Sequence, residues 1–282
     1  MTFSKKKIWV SMALIFILCS IVKHIEFFYI QTDRTFIADN VICKIFTIIS
    51  IAAALIFWKL KPSDIGFRSK GFLKYMCCGF GLGIGTFAVS YGLEVLILIL
   101  QGKTVTFGFY VTNFALSGAT NSVELSVPAL LICIAGNVIN VVAEEGLFRG
   151  LFLFLFAKIY SFGKSNLIQA FLFGIWHLVT VALEVKEGTM NIPTAIVMAI
   201  GYIVLAGILA LEWGTCVDMT GVLWVGMFEH FFNNFIGNTL HVVSSTGTDE
   251  MQIVRIVLSN ILSLTVVLLI NKRSRKKIRE EL

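Results

Sequence analysis

Apolar stretches long enough to cross a lipid bilayer recur along the whole chain, and they restrict the folds open to it. The chain has 282 residues, of which 57% are hydrophobic and 14% are charged. A helix needs about 20 consecutive apolar residues to cross the hydrocarbon core. Backbone groups inside lipid must be hydrogen-bonded within the chain, which favours helices. The sequence therefore predicts an all-α, polytopic protein of the cell membrane, surrounded by the lipid bilayer.

About eight transmembrane helices are predicted, and they form a single transmembrane domain over residues 1–282. An even number of spans places both termini on one side, and basic residues cluster at both ends of the chain. By the positive-inside rule we expect both termini to be cytoplasmic. The approximate spans are 8–30, 41–58, 75–100, 127–158, 167–183, 194–212, 220–238 and 251–270.

The net charge of +6 does not indicate a nucleic-acid partner. Basic residues lie mainly in loops and tails, where they orient a membrane protein, so we expect no nucleic acid to bind. The six cysteines are scattered without metal-ligand spacing. They are interpreted as small buried hydrophobic residues.

The fourth predicted span contains two adjacent glutamates and an arginine. A charged side chain at membrane depth costs roughly 2.5–3.5 kcal/mol on insertion scales, which makes such residues candidates for function. Glu145 and Arg149 are four residues apart and therefore share a helix face. Glu144 points to another face, which also carries Asn137 and Asn140. A structural role remains open for Glu145, whereas Glu144 is freer for chemistry.

The same span is too long for one straight crossing. A helix of its 32 residues would extend about 48 Å, against a hydrocarbon core of about 30 Å. We expect it to tilt strongly, or to break near Gly146 or Gly150.

Two later spans each contain a histidine one helical turn away from a second residue of interest. His177 follows Phe173 by four residues, and His230 precedes Asn234 by four, so each pair shares one helix face. Each could instead serve packing or interhelical hydrogen bonding. Combined with Glu144, they suit peptide hydrolysis. Glu144 and His177 could activate water, while His230 and Asn234 could donate hydrogen bonds to the tetrahedral oxyanion.

A zinc site is the alternative use of the same side chains. Two histidines and a glutamate can bind zinc, although the chain has no His-Glu-x-x-His motif. The prediction is that no cofactor is needed, with zinc as the open alternative.

The three motifs Glu144-Glu145-x-x-x-Arg149, Phe173-x-x-x-His177 and His230-x-x-x-Asn234 resemble the signature motifs of the CPBP (Abi) family. This family groups CAAX-type prenyl endopeptidases with bacteriocin-processing and immunity membrane proteins. The motif-bearing region covers about residues 125–240.

The resemblance implies an endopeptidase with an intramembrane active site. Its substrate would be a membrane-associated or lipidated peptide or protein, cleaved by a glutamate-activated water without a metal. Glu144 and His177 would activate the water, and His230 and Asn234 would form the oxyanion site. The supporting residues of the motifs would be Glu145, Arg149 and Phe173.

A non-enzymatic bacteriocin self-immunity protein or a membrane transporter is the competing interpretation, because intramembrane charges also mark ion and proton pathways. The sequence shows no obvious inverted repeat, and the polar residues of the motifs lie in three late spans. Both observations favour the peptidase over a transporter.

Overall fold

The computed structural model describes residues 3–35, 39–112 and 126–280. This part of the chain is built from α-helices with a two-stranded sheet at one end. The elements are α1 (Lys5–Ile25), α2 (Val41–Trp58), α3 (Phe72–Leu100), β1 (Val105–Phe109), α4 (Val127–Glu145), α5 (Leu153–Phe156), α6 (Phe162–Trp176), α7 (Leu178–Lys186), α8 (Ile192–Thr220), α9 (Trp224–Thr239), β2 (Leu240–Ser244) and α10 (Gln252–Glu280).

Seven helical stretches among the described residues are long and apolar enough to cross a membrane, so the predicted all-α membrane fold is confirmed. They are Lys5–Arg34, Val41–Trp58, Phe72–Leu100, Val127–Phe156, Phe162–Lys186, Ile192–Thr220 and Gln252–Lys276.

The predicted span 220–238 differs from the other seven. It corresponds to α9, which has 16 residues. A helix of that length extends about 24 Å, short of the roughly 30 Å hydrocarbon core. Of the approximately eight helices expected, seven are thus long enough to span the membrane, and α9 is a shorter helix packed against α3, α4 and α8.

The sixth predicted span ends too early. It stops at residue 212, whereas α8 continues to Thr220. Glu212 suggests the end of an apolar run, yet its side chain is fully buried inside the protein. A buried carboxyl group can lie within a spanning helix when neighbouring helices cover it.

The long fourth segment stays helical through its glycines. A π-helical turn, Gly146–Phe152, follows α4 directly and leads into α5, so the alternative of a break near Gly146 or Gly150 is wrong. The glycines allow close packing instead. A Cβ atom at Gly150 would lie 3.2 Å from the Ile65 carbonyl oxygen, and one at Gly146 would lie 3.0 Å from the Ile51 side chain.

The beginning of α2 is held by a buried carboxylate from the first helical stretch. Glu26 accepts hydrogen bonds from the backbone N–H groups of Ile42 at 2.8 Å and Cys43 at 2.6 Å. The first N–H groups of a helix lack partners within the helix, and a negative charge there is favourable. Glu26 therefore fixes α2 against the end of the first helical stretch.

The sheet, which the sequence did not predict, is attached to the helices by buried ion pairs. β1 and β2 pair antiparallel, with Phe109 opposite Leu240. Just beyond β2, Asp249 accepts from Arg255 Nη2 at 2.6 Å, and Arg255 Nη1 donates to Glu94 at 2.5 Å. These contacts connect the segment after β2 with α10 and α3.

Candidate active site

Glu144 lies at the end of α4 with both carboxylate oxygens hydrogen-bonded. Trp176 Nε1 donates to its Oε1 at 2.8 Å, and Asn140 Nδ2 donates to its Oε2 at 3.4 Å. The residue is 5% exposed and lines a cavity. The polar face predicted along α4 therefore holds the carboxylate of Glu144 through Asn140.

Glu145 points away from Glu144 and contacts two buried partners. Its Oε2 lies 3.2 Å from Arg149 Nε, and its Oε1 lies 2.9 Å from His230 Nδ1. The Arg149 guanidinium also lies over the rings of Phe173 and Trp213, at 3.9 and 4.7 Å from their centroids. Such cation–π contacts stabilise a cation that is removed from water.

The π-helical turn begins directly after these two glutamates. It spans Gly146–Phe152 and contains Arg149. Short π-helical segments are rare and often occur at functional sites. Here the turn supplies the arginine that pairs with Glu145, while the preceding α4 supplies both glutamates.

His177 lies at the junction between α6 and α7, which the sequence treats as one span. Its Nδ1 is 2.8 Å from the Phe173 carbonyl oxygen. A carbonyl oxygen only accepts, so Nδ1 carries the proton and Nε2 keeps its lone pair. The ring also packs edge-on against Phe173, with 4.6 Å between centroids. These contacts fix His177 in the tautomer that can accept a proton through Nε2.

His230 and Asn234 lie on the same face of α9, as predicted. The His230 ring stacks on Trp213, with 4.3 Å between centroids and 16° between planes. Its Nε2 is 3.7 Å from Glu144 Oε2, which is too long for a direct hydrogen bond. Asn234 is half-buried and lines the cavity.

One cavity brings together the four predicted catalytic residues. It has a volume of about 830 Å³ and is lined by Glu144, His177, His230 and Asn234. Phe173 also lines it. Glu145 and Arg149 lie outside the lining, behind His230 and Phe173. The roles of these residues in catalysis stay predictions.

Lys23 was not predicted from the sequence as a site residue, and it reaches the same cavity from α1. Lys23 is 8% exposed, and its Nζ donates to the Trp176 carbonyl oxygen at 3.2 Å. The amine also lies 4.3 Å from the centroid of the Trp176 ring. A lysine inside an apolar span is itself a sign of function, and that signal was present in the sequence.

Trp213, which lines the cavity, and Glu229, which lies behind it, are two further residues that the sequence left without a role. Trp213 Nε1 donates to Glu229 Oε2 at 2.9 Å, which holds the indole against His230. Glu229 also accepts from Ser263, whose hydroxyl lies 2.5 Å from Glu212 Oε1. Nothing in the helical spacing indicates these partners, because they come from three different helices.

Zinc binding by these side chains is the alternative that the sequence left open. Within residues 3–35, 39–112 and 126–280, no three His, Cys, Asp or Glu side chains are grouped so as to hold a metal ion. His177 Nδ1 is bound to a backbone carbonyl, and His230 Nδ1 is bound to Glu145. Metal independence stays a prediction that requires its own measurement.

Comparison with known proteins identifies the region that carries these residues. Residues 126–236 match the family model described as type II CAAX prenyl endopeptidase Rce1-like, and all three motifs fall inside the match. No curated protein and no solved structure matches the chain. Residues 126–236 thus match a CPBP-family domain, and this region lies within a multi-pass helical membrane protein.

Proposed function

We propose that this chain, which carries a type II CAAX prenyl endopeptidase Rce1-like domain at residues 126–236, hydrolyses peptide bonds by means of a water activated by Glu144. One observation carries the proposal. Glu144 lines one cavity that is also lined by His177, His230 and Asn234. The cavity therefore combines proton acceptors with hydrogen-bond donors, which is what amide hydrolysis requires.

The first step is the activation of water by Glu144 and His177. The Glu144 carboxylate and the Nε2 lone pair of His177 are the proton acceptors, and the Phe173 carbonyl fixes the orientation of the imidazole. As the water oxygen bonds to the substrate carbonyl carbon, its proton passes to one of these bases. The same proton then goes to the leaving amine when the C–N bond breaks. A positioned base contributes about 10²–10⁴-fold to such a reaction.

The second requirement is stabilisation of the oxyanion. Asn234 Nδ2 can donate to it directly. His230 donates through Nε2 when the ring is an imidazolium, with Glu145 accepting from Nδ1 at 2.9 Å and balancing the charge. Removing one such donor typically costs about 10²–10³-fold in kcat.

The cavity suits a substrate that comes from the membrane. Its lining combines apolar side chains, such as Phe27, Leu205 and Leu209, with asparagine amides. A membrane-associated or lipidated peptide presents both kinds of group, and bacteriocin precursors are one such class. Cleavage of matched peptides with and without a prenyl group measures whether the lipid is required.

The test is peptide cleavage by purified protein in lipid vesicles. We expect Glu144→Gln and His177→Ala each to lower kcat by at least about 10²-fold. The matched controls are Glu250→Gln, at a carboxylate paired with Lys103, and His24→Ala, at an exposed histidine. Wild-type rates in Glu144→Gln or His177→Ala would contradict the assigned roles. In cells, immunity or transport that survives Glu144→Gln would favour the non-enzymatic alternatives.

We further propose that both termini lie in the cytoplasm, which requires α9 to complete an eighth crossing, because the seven longer stretches alone would place the termini on opposite sides. The basic residues near each end support this orientation by the positive-inside rule. Labelling of single cysteines placed near each terminus in intact cells tests it. Labelling by a membrane-impermeant reagent before lysis would contradict the proposed orientation.

A further inference from the structure

Two asparagines from different helices form a hydrogen-bonded pair in the cavity wall. Asn233 Nδ2 in α9 donates to Asn260 Oδ1 in α10 at 2.7 Å. Both residues line the cavity, and they are 8% and 2% exposed. Asn260 lies outside residues 126–236 and outside the three motifs.

The pair is incompletely satisfied by the protein itself. Among the described residues, no acceptor bonds to the buried Nδ2 of Asn260. Asn233 uses its Nδ2 in the pair, which leaves its Oδ1 as an acceptor. Burying a polar group without a hydrogen-bond partner costs free energy. A donor kept in this position therefore indicates a ligand that accepts a hydrogen bond.

Two other amides of the cavity, both on α4, already have partners. Asn137 Nδ2 donates to Cys133 Sγ at 3.5 Å, and Asn140 Nδ2 donates to Glu144 at 3.4 Å. The Asn233–Asn260 pair therefore differs from them in offering both a donor and an acceptor. These two groups are complementary to the C=O and N–H groups of a peptide backbone.

We propose that the Asn233–Asn260 pair binds the backbone of the substrate next to the scissile bond. Asn260 Nδ2 donates to a substrate carbonyl, and Asn233 Oδ1 accepts from a substrate N–H. The inference rests on the proposed peptidase function and names a positioning site for the same reaction.

The position of the pair along α9 sets its distance from the reacting bond. Asn233 is three residues from His230 and one from Asn234, so it lies about 1.5–4.5 Å along the helix axis from the oxyanion donors. An extended peptide advances about 3.3 Å per residue. The bound peptide group is therefore one or two residues away from the bond that is cleaved. Because Asn233 and Asn260 are themselves buried, a substrate backbone that lies against them in place of water needs such partners.

Kinetics of Asn260→Ala provide the first test. We expect KM to rise by roughly 5–30-fold, as for the loss of one hydrogen bond, with little change in kcat. The control is Asn271→Ala, on the same helix, where the side chain contacts Arg275 instead of the cavity. Asn260→Leu preserves the volume of the side chain and guards against a packing defect. A KM that stays at the wild-type value in both Asn260 variants would overturn the proposal.

Substrates in which one backbone amide is replaced by an ester identify the peptide group that the Asn233–Asn260 pair binds. Replacing an amide by an ester removes the N–H and weakens the carbonyl as an acceptor. We expect wild-type protein to lose roughly 5–30-fold in kcat/KM at one position near the scissile bond. In the Asn260→Ala protein, the ester at that position should cause little further loss of kcat/KM. Esters at other positions should lower kcat/KM equally in both proteins. Equal penalties in both proteins at every position would overturn the subsite and leave the peptidase function intact.

Peptide binding to the inactive Glu144→Gln protein separates the two proposals. If wild-type protein cleaves no peptide, the peptidase function fails. The same peptides are then bound to the Glu144→Gln protein and to the Glu144→Gln, Asn260→Ala double variant. The difference in affinity tests whether the Asn233–Asn260 pair binds the peptide. Weaker binding by the double variant supports it, and equal binding overturns it.

Discussion

Glu145 and His230 meet with 2.9 Å between the carboxylate Oε1 and the imidazole Nδ1, and this contact joins α4 to α9. The other Glu145 oxygen faces Arg149, so one carboxylate connects the first motif with the third. Because Nδ1 is bound in this way, Nε2 is the nitrogen of His230 that faces Glu144. The second glutamate of the pair thus orients a residue of the candidate site, while the first lines the cavity.

Replacement of Glu145 by glutamine should therefore affect stability and activity together. The amide oxygen of the new side chain can still accept from His230, but the buried Arg149 loses its charge partner. Removal of one partner from a buried ion pair costs roughly 3–5 kcal/mol. We expect a clear fall in the thermal midpoint in detergent and a smaller loss of kcat than in Glu144→Gln.

Glu187→Gln is the matched control for that experiment. Glu187 pairs with Arg34, and both side chains are partly exposed. Exposed pairs contribute about 0–1 kcal/mol, so the thermal midpoint should change little. A Glu145→Gln protein as stable as Glu187→Gln would argue against the buried ion pair.

The sequence was sufficient to predict the helical membrane fold and the residues that meet in the cavity. Apolar length determines the spans, and spacings of four residues place Phe173 with His177 and His230 with Asn234. The partners of Glu145 could be predicted only in part. Arg149 is close along the chain, whereas His230 is 85 residues away and its contact depends on how α4 packs against α9.

Contacts between distant helices explain what could not be predicted. The stacking of Trp213 on His230 and the pairing of Asn233 with Asn260 are set by helix packing, which leaves no periodic pattern in the sequence. Glu212 shows the converse. The predicted span stops at this residue, but partners from other helices allow Glu212 to remain inside α8.

Lys23 should influence the reaction through the end of α6. Its Nζ donates to the Trp176 carbonyl oxygen, immediately before His177. A cation near the last carbonyl groups of a helix is favourable. Lys23→Met keeps much of the side-chain volume and removes this bond, so we expect kcat to fall by about 5–30-fold, equivalent to roughly 1–2 kcal/mol.

Two further variants serve as controls for the Lys23→Met experiment. Lys23→Arg retains the charge and should recover part of the lost activity. Lys6→Met, at an exposed position in the same helix, should leave kcat unchanged. Equal activity of Lys23→Met and Lys6→Met would show that the Lys23 contact does not affect catalysis.

Chelation measures the dependence on metal directly. We expect peptide cleavage to continue after dialysis against a strong chelator, and the purified protein to contain no stoichiometric zinc. A zinc peptidase treated in parallel should lose its activity and regain it when zinc is added. If the present protein behaved like that control, the glutamate mechanism would have to be replaced by a metal-assisted one.

Stability at low pH should depend on Asp249, which lies outside the spans and contacts His241 and Arg255 at 3.3 and 2.6 Å. Burial raises the pKa of the Asp249 carboxyl, but hydrogen bonds from His241 and Arg255 outweigh it and hold the pKa below the ordinary 3.8. A lowered folded-state pKa stabilises the protein above the unfolded-state pKa, and this contribution disappears as the pH falls through the folded-state value. We expect Asp249→Asn to lower the thermal midpoint at pH 7, with the difference from wild type shrinking below about pH 4. Glu250→Gln, at the adjacent carboxylate, should stay near wild type throughout, and a pH-independent difference for Asp249→Asn would contradict the assigned charge.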